Sequence, residues 1–226
     1  MPAYRAMPAT GGNFPVILVS QEIFGVHEHI KDTCRRWAKQ GYFVIAPELY
    51  ARQGDPSKIT DIPKLISDIV SKVPDAQVMA DLDACVAYAK ATGKADVTKL
   101  GITGFCWGGR TTLIYAAHNP NVKAAVAYYR PTVKSYFPGD KTAVDNAASI
   151  KGAVLGLYGG ADAGIPNDTV EKMFAAIKAG GNNKSEFVIY PDTPHGFNAD
   201  YRPSYRKEAA DDGWKRATAW FKKNLG

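Results

Sequence analysis

Apolar residues in this chain fall into two kinds of segment that take turns. Short, nearly continuous runs lie at residues 14–20 (FPVILVS), 42–46, 100–103, 123–129, 153–158 and 186–190, most of them bounded by Gly or Pro. Runs of that length and density predict strands covered on both faces, as in a parallel sheet. Between them, apolar positions recur every three or four residues. Helices are predicted at about 28–40, stopped by Gly41, and at 75–91, with Val78, Leu82, Val86 and Ala89 on one stripe. Another runs from Gly104 to about His118, and a further one spans 168–178 before Gly180-Gly181. The last carries Trp214, Ala217, Phe221 and Leu225 at spacings of three and four. A polar loop at 52–57 leads into the helix before residue 75. A short edge strand at 4–7 is expected to turn through Thr10-Gly11-Gly12-Asn13 into the strand at 14–20. The alternation predicts one α/β domain over residues 1–226, with a mostly parallel sheet and helices on both faces. Sites in such sheets lie beyond the carboxyl ends of the strands.

Composition narrows the partners. With 226 residues, 46% hydrophobic and 22% charged, the chain is long enough for a real core. No apolar run approaches the roughly 20 residues of a membrane span, and the start MPAYRAMPATGG has no signal-peptide core, which points to the cytoplasm. The net charge of +6 is scattered, without a basic arm or an aromatic-laced stripe. Nucleic acid and membrane are therefore not expected partners; a small molecule is. Three cysteines with no metal-type spacing fit a reducing compartment. Cys34 and Cys85 fall on apolar helix stripes and read as core. Cys106 does not.

Cys106 stands in Gly104-Phe105-Cys106-Trp107-Gly108-Gly109, between a strand and a helix. This is the spacing of the nucleophile elbow of an α/β-hydrolase fold, with sulfur where oxygen usually stands. The turn demands small flanking residues, supplied by Gly104 and Gly108. It also turns the Trp107 amide, at a helix N-terminus, toward a developing oxyanion. A thiol nucleophile needs a base, and the base an orienting acid. His195 and Asp162 follow later strands in the expected order. Asp168, readable as an N-cap, and Asp192, readable as a turn residue, are the competing acids. His118 sits at a helix end, and His27 and His29 are expected on different helix faces, with a metal site from His27-Glu28-His29 disfavoured. After the first long strand comes Gln21-Glu22-Ile23-Phe24-Gly25. There the Ile23 amide is placed to complete an oxyanion hole, and Glu22 to hold or accept the thiol proton. Phe24, Trp107, Tyr129 and Phe197 suggest a mostly apolar cleft for a small ligand.

These motifs resemble the dienelactone hydrolase family. The most specific are QEIFGV (21–26), APELYAR (46–52), GFCWGG (104–109), YGGAD (158–162) and HGF (195–197). The resemblance implies a Cys106–His195–Asp162 triad and a glutamate, Glu22, that shifts beside the thiol when substrate binds. It further implies an oxyanion hole from the Ile23 and Trp107 amides, hydrolysis of a small lactone or ester, and no metal or organic cofactor. It departs where the family grips a substrate carboxylate with an arginine shortly after the histidine. No arginine has that spacing here, so Arg202 and Arg52 are the candidates. A broad carboxylesterase or thioesterase, and a non-catalytic thiol sensor, are the rival functions.

Overall fold

The computed structural model describes residues 1–130, 133 and 135–226. Seven strands form one sheet: β1 (Ala3–Ala6), β2 (Phe14–Ser20), β3 (Phe43–Pro47), β4 (Ala95–Phe105), β5 (Val122–Tyr128), β6 (Ala153–Gly159) and β7 (Glu186–Tyr190), in the order β1-β3-β2-β4-β5-β6-β7. All pairings are parallel except β1 with β3, which is antiparallel. The main helices are α1 (Glu28–Lys39), α2 (Ile62–Asp68), α3 (Asp75–Ala91), α4 (Trp107–His118), α5 (Ala143–Asn146), α6 (Asn167–Ala179) and α7 (Lys207–Leu225). Among the described residues no helix is long and apolar enough to cross a membrane.

Two glycines on β4 show that helices cover both sides. A side chain on Gly101 would meet Phe221 of α7, whereas one on Gly104, three residues on and so on the other face, would meet Gly108 and Thr112 of α4. α1 shares the α7 side through Trp37 and Trp214, whose rings lie 4.2 Å apart. α3 joins α4 on the other, where Tyr115 donates to Asp83. Strands β2 and β5, closed in from both faces, are buried along almost their whole length.

Three local expectations are corrected. β1 does not form a hairpin with β2 but pairs with β3, Ala3 facing Pro47. β4 starts at Ala95, not Leu100, because its polar, solvent-facing half still pairs with the start of β2. On α7 the buried tryptophan is Trp220; Trp214 is only partly covered, with the Arg36 guanidinium 3.8 Å above its ring.

Candidate active site

The backbone at Cys106 carries the clearest local strain. It has φ +54° and ψ −119°, far from the allowed regions of a side-chain-bearing residue. Its neighbours explain how the turn is held. A Cβ on Gly104 would sit 2.2 Å from the Gly108 carbonyl oxygen. One on Gly108 would sit 2.3 Å from that of Ser20 and 2.4 Å from that of Gln21. Only glycine lets β2, β4 and α4 approach so closely. The Cys106 amide donates to the Tyr128 carbonyl at 3.2 Å, pinning the elbow to β5. The thiol residue is 8% exposed, at the mouth of the sheet's carboxyl edge.

The candidate acid and base follow β6 and β7. Asp162, in the loop after β6, accepts from His195 Nδ1 at 2.6 Å through Oδ2 and from the Gly164 amide at 3.0 Å through Oδ1. A carboxylate only accepts, so His195 carries its proton on Nδ1 and turns Nε2 away from Asp162. The two loops are laced together: the Gly160 amide donates to the Tyr190 carbonyl at 2.7 Å and the Ala161 amide to that of Thr193 at 3.0 Å. Burial pushes the His195 imidazole toward neutrality, but the Asp162 carboxylate and the Cys106 sulfur outweigh it and raise its pKa to about 9. The competing groups are occupied elsewhere. Asp168 pairs with Lys172 on the surface, Asp192 is an exposed turn residue at φ +53°, and His118 pairs with Asp83.

Cys34 and Cys85 are buried thiols, and burial drives both pKa values up, that of Cys85 to about 12. Neither is poised as a thiolate. Trp107 opens α4, and its ring lies edge-on to Tyr50 at 4.9 Å. Ile23 lies in the turn closed by the Gly25 amide on the Glu22 carbonyl at 3.3 Å. Among the described residues neither the Trp107 nor the Ile23 amide donates to a turn, loop or cap acceptor.

Glu22 is fully buried, and its carboxylate is caged. His27 Nε2 lies 3.1 Å from Oε2, the Tyr201 hydroxyl donates to the same oxygen at 2.6 Å, and an Arg202 nitrogen lies 3.7 Å from Oε1. Burial favours the neutral acid, yet His27, Arg202 and Tyr201 together hold the pKa below the usual carboxylate value. His27 and His29 are not on separate faces as expected: their rings stack at 6.2 Å beside Tyr201. His27 precedes α1 as its cap, so the helical angle between the two does not apply.

A family profile described as "Dienelactone hydrolase family" matches residues 1–225. The chain belongs to the dienelactone hydrolase family. A protein of Methylorubrum extorquens provisionally named carboxymethylenebutenolidase is 64% identical over 98% of this chain and 76% of its own length. One of Escherichia coli K12 with the same provisional name is 55% identical over 100% and 83%. A crystal structure from Klebsiella pneumoniae, provisionally described as a dienelactone hydrolase, superposes with a TM-score of 0.94 at 55% identity, covering 98% of this chain and 92% of that one.

Within this family member the remaining candidates separate. Arg202 reaches the site, lying 5.1 Å over Phe24 and against Glu22. Arg52 does not: both its terminal nitrogens are on Asp81, at 2.6 and 2.8 Å, beside a surface cleft of about 420 Å³ lined by Met1, Arg5 and Tyr88. Phe197 is fully buried, wedged between Tyr129 and Tyr190. Tyr129, at φ +32°, presents its ring edge to His195 at 5.2 Å. The cleft is more polar than expected. Tyr201 donates to Glu22, and Gln21, Tyr50 and Arg130 are buried; Gln21 and Tyr50 stand within QEIFGV and APELYAR, whereas Tyr201 and Arg130 fall outside every quoted motif. The one sequence signal was an arginine directly ending the apolar run AAVAYYR. Among the described residues no group of three or more His, Cys, Asp or Glu side chains is placed to hold a metal ion.

Proposed function

We propose that this dienelactone-hydrolase-family enzyme opens small lactones or cleaves small esters through an acyl-cysteine intermediate. The observation that carries the reading is the 2.6 Å bond from Asp162 to His195 Nδ1, with the other side of that imidazole under the influence of a thiol on a strained elbow.

Cys106 sulfur attacks the carbonyl carbon, and the carbonyl electron pair moves onto oxygen, where the Trp107 and Ile23 amides receive it. On collapse the carbon–oxygen ester bond breaks and the leaving alkoxide takes the His195 proton. With a lactone that alcohol stays tethered to the acyl group. Neutral His195 then removes a proton from water, hydroxide adds to the acyl-cysteine, and the thiolate departs, restoring the imidazolium–thiolate pair. Asp162 keeps the imidazole in the productive orientation and favours its charged form. Glu22 starts as a caged carboxylate, so any exchange of a proton with the thiol requires it to leave at least one of His27, Tyr201 and Arg202.

The test is hydrolysis of p-nitrophenyl acetate and of a dienelactone by the wild type and by Cys106→Ala. Loss of both activities, with an acyl adduct on Cys106 by intact mass, is expected. Wild-type turnover by Cys106→Ala would sink the mechanism.

A further inference from the structure

The two edges of the sheet are guarded unequally. β1, at one edge, carries the charged Arg5 and follows Pro2. β7, at the other, reads Glu186-Phe187-Val188-Ile189-Tyr190, without Lys, Arg or Pro and with its one charge at the start. Among the described residues it pairs with β6 alone, and Phe187 is 36% exposed. An edge strand without a basic residue or a proline along it is a template for another strand.

Helix α6 borders the same edge. A side chain on Gly156 of β6 would meet Phe174, and the rings of Phe174 and Phe187 lie 4.8 Å apart, so α6 lies over the last two strands. A cleft of about 550 Å³ separates helix and strand. Along it α6 presents Glu171, Phe174, Ala175 and Lys178, a row on one face at spacings of three and four. Acid and base stand at opposite ends of that row, two turns or about 10.5 Å apart, with the apolar pair between them. Glu171 and Lys178 are exposed, and among the described residues no ion pair or side-chain hydrogen bond takes up either one. Another exposed pair on the same helix, Asp168 and Lys172, closes on itself at 2.8 Å.

Such a row is its own complement. A two-fold axis perpendicular to the sheet, placed beside β7, lays that strand antiparallel to the β7 of a second copy and α6 antiparallel to its α6. An antiparallel row centred between Phe174 and Ala175 sets Glu171 against the copy's Lys178, and Lys178 against its Glu171. One axis serves both layers, because the Phe174–Phe187 contact holds the centre of the helix row one residue from the middle of β7. We propose that the protein forms an isologous dimer through the β7 edge and the Glu171–Lys178 face of α6, joining two seven-stranded sheets into one.

The test is sedimentation velocity at low salt from about 1 to 100 μM, a range that brackets micromolar association. Wild type is expected at twice the chain mass, dissociating on dilution. Glu171→Lys sets lysine against lysine twice across the axis, and Lys178→Glu sets glutamate against glutamate. Each should weaken the dimer roughly tenfold or more. The two combined restore both pairs and should return the dissociation constant to within about threefold of wild type. Phe187→Lys charges the open edge and should abolish the dimer. Circular dichroism reports the folding of each variant, and the charge reversals decide the matter if Phe187→Lys does not fold. A wild type monomeric throughout, which leaves this face to a different partner or to none, overturns the proposal. So does a dimer indifferent to the single substitutions, whose interface then lies elsewhere, or a double reversal no tighter than the single ones.

Discussion

Replacing Gly108 by alanine asks whether close backbone packing at the elbow sets the catalytic geometry. The new methyl carbon would lie 2.3 Å from the Ser20 oxygen and 2.4 Å from the Gln21 oxygen. An ordinary carbon–oxygen contact is about 3.3 Å, so β2 and α4 must separate by about 1 Å. The obstructing atoms are main chain at the end of a central strand and cannot rotate aside. Overpacking of that kind costs up to ~3 kcal/mol, while alanine in place of glycine inside a helix returns about 1 kcal/mol. The net loss of roughly 2 kcal/mol corresponds to a Tm lower by about 4–8 °C for a chain of this length. The kinetic effect should exceed the thermal one. The strand that is pushed leads straight into Ile23, and the helix that moves begins at Trp107. The two proposed oxyanion donors are thereby parted, and a 1 Å misplacement costs about 100-fold in rate. The assay is differential scanning fluorimetry beside kcat/KM for p-nitrophenyl acetate. Gly12→Ala is the control, since its Cβ would meet nothing nearer than the Lys94 side chain at 3.7 Å. A Gly108→Ala protein melting within about 2 °C of wild type, with kcat/KM within about threefold, would refute the reasoning.

Other perturbations separate the parts of the site. His195 keeps its proton up to about pH 9 because burial is outweighed by Asp162 and Cys106. The stabilisation linked to that raised pKa is therefore complete below the ordinary histidine value and is lost as pH rises through about 9. If the imidazolium–thiolate pair is the active form, kcat/KM should fall on an alkaline limb near that pH. Asp162→Asn should shift the limb down, and an unmoved limb would count against the assigned role. Tyr201→Phe removes one donor to Glu22 at 2.6 Å. It should raise the Glu22 pKa and weaken the enzyme at mildly acidic pH first, visible as an altered acid limb. Arg52→Met strips buried Asp81 of its bidentate partner. It should lower the urea midpoint of unfolding, because the buried Asp81 carboxylate loses its partner, while leaving kcat/KM for a neutral ester unchanged.

What the sequence disclosed depended on whether the signal was local. β2, α3 and β7 appear within the bounds their apolar patterns predict: β2 because burial from both faces writes itself into consecutive residues, α3 because its buried positions recur at helical spacing, and β7, a half-exposed edge strand, because its run EFVIY stops at Pro191. The partner of β1 did not, because pairing with β3 is decided across the intervening β2 and α1. The start of β4 was hidden by a polar stretch that pairs while facing solvent. At the candidate site, the proposed triad of Cys106, Asp162 and His195 could be singled out along the chain because each follows a strand end. Arg52 also follows a strand, but Asp81 of α3 draws it away, and nothing along the chain announces that bond. The cage around Glu22 joins residues 22, 27, 201 and 202, and only the folded chain makes them neighbours.

The lacing between the loops after β6 and β7 has a consequence for how such a chain diversifies. Gly159 lies so close to the Thr193 carbonyl that a side chain there would start 2.2 Å from it, and two amides cross the same seam. Asp162 and His195 are thus carried by one laced pair of loops, and lengthening either loop would pry them apart. Among the described residues the connections after β3 and β5 send no main-chain hydrogen bond across that seam, and they deliver Tyr50 and Arg130. Loops free of such lacing tolerate insertions and deletions best, so relatives that change what they accept should differ in length after β3 and β5 while the Asp162–His195 seam keeps its spacing.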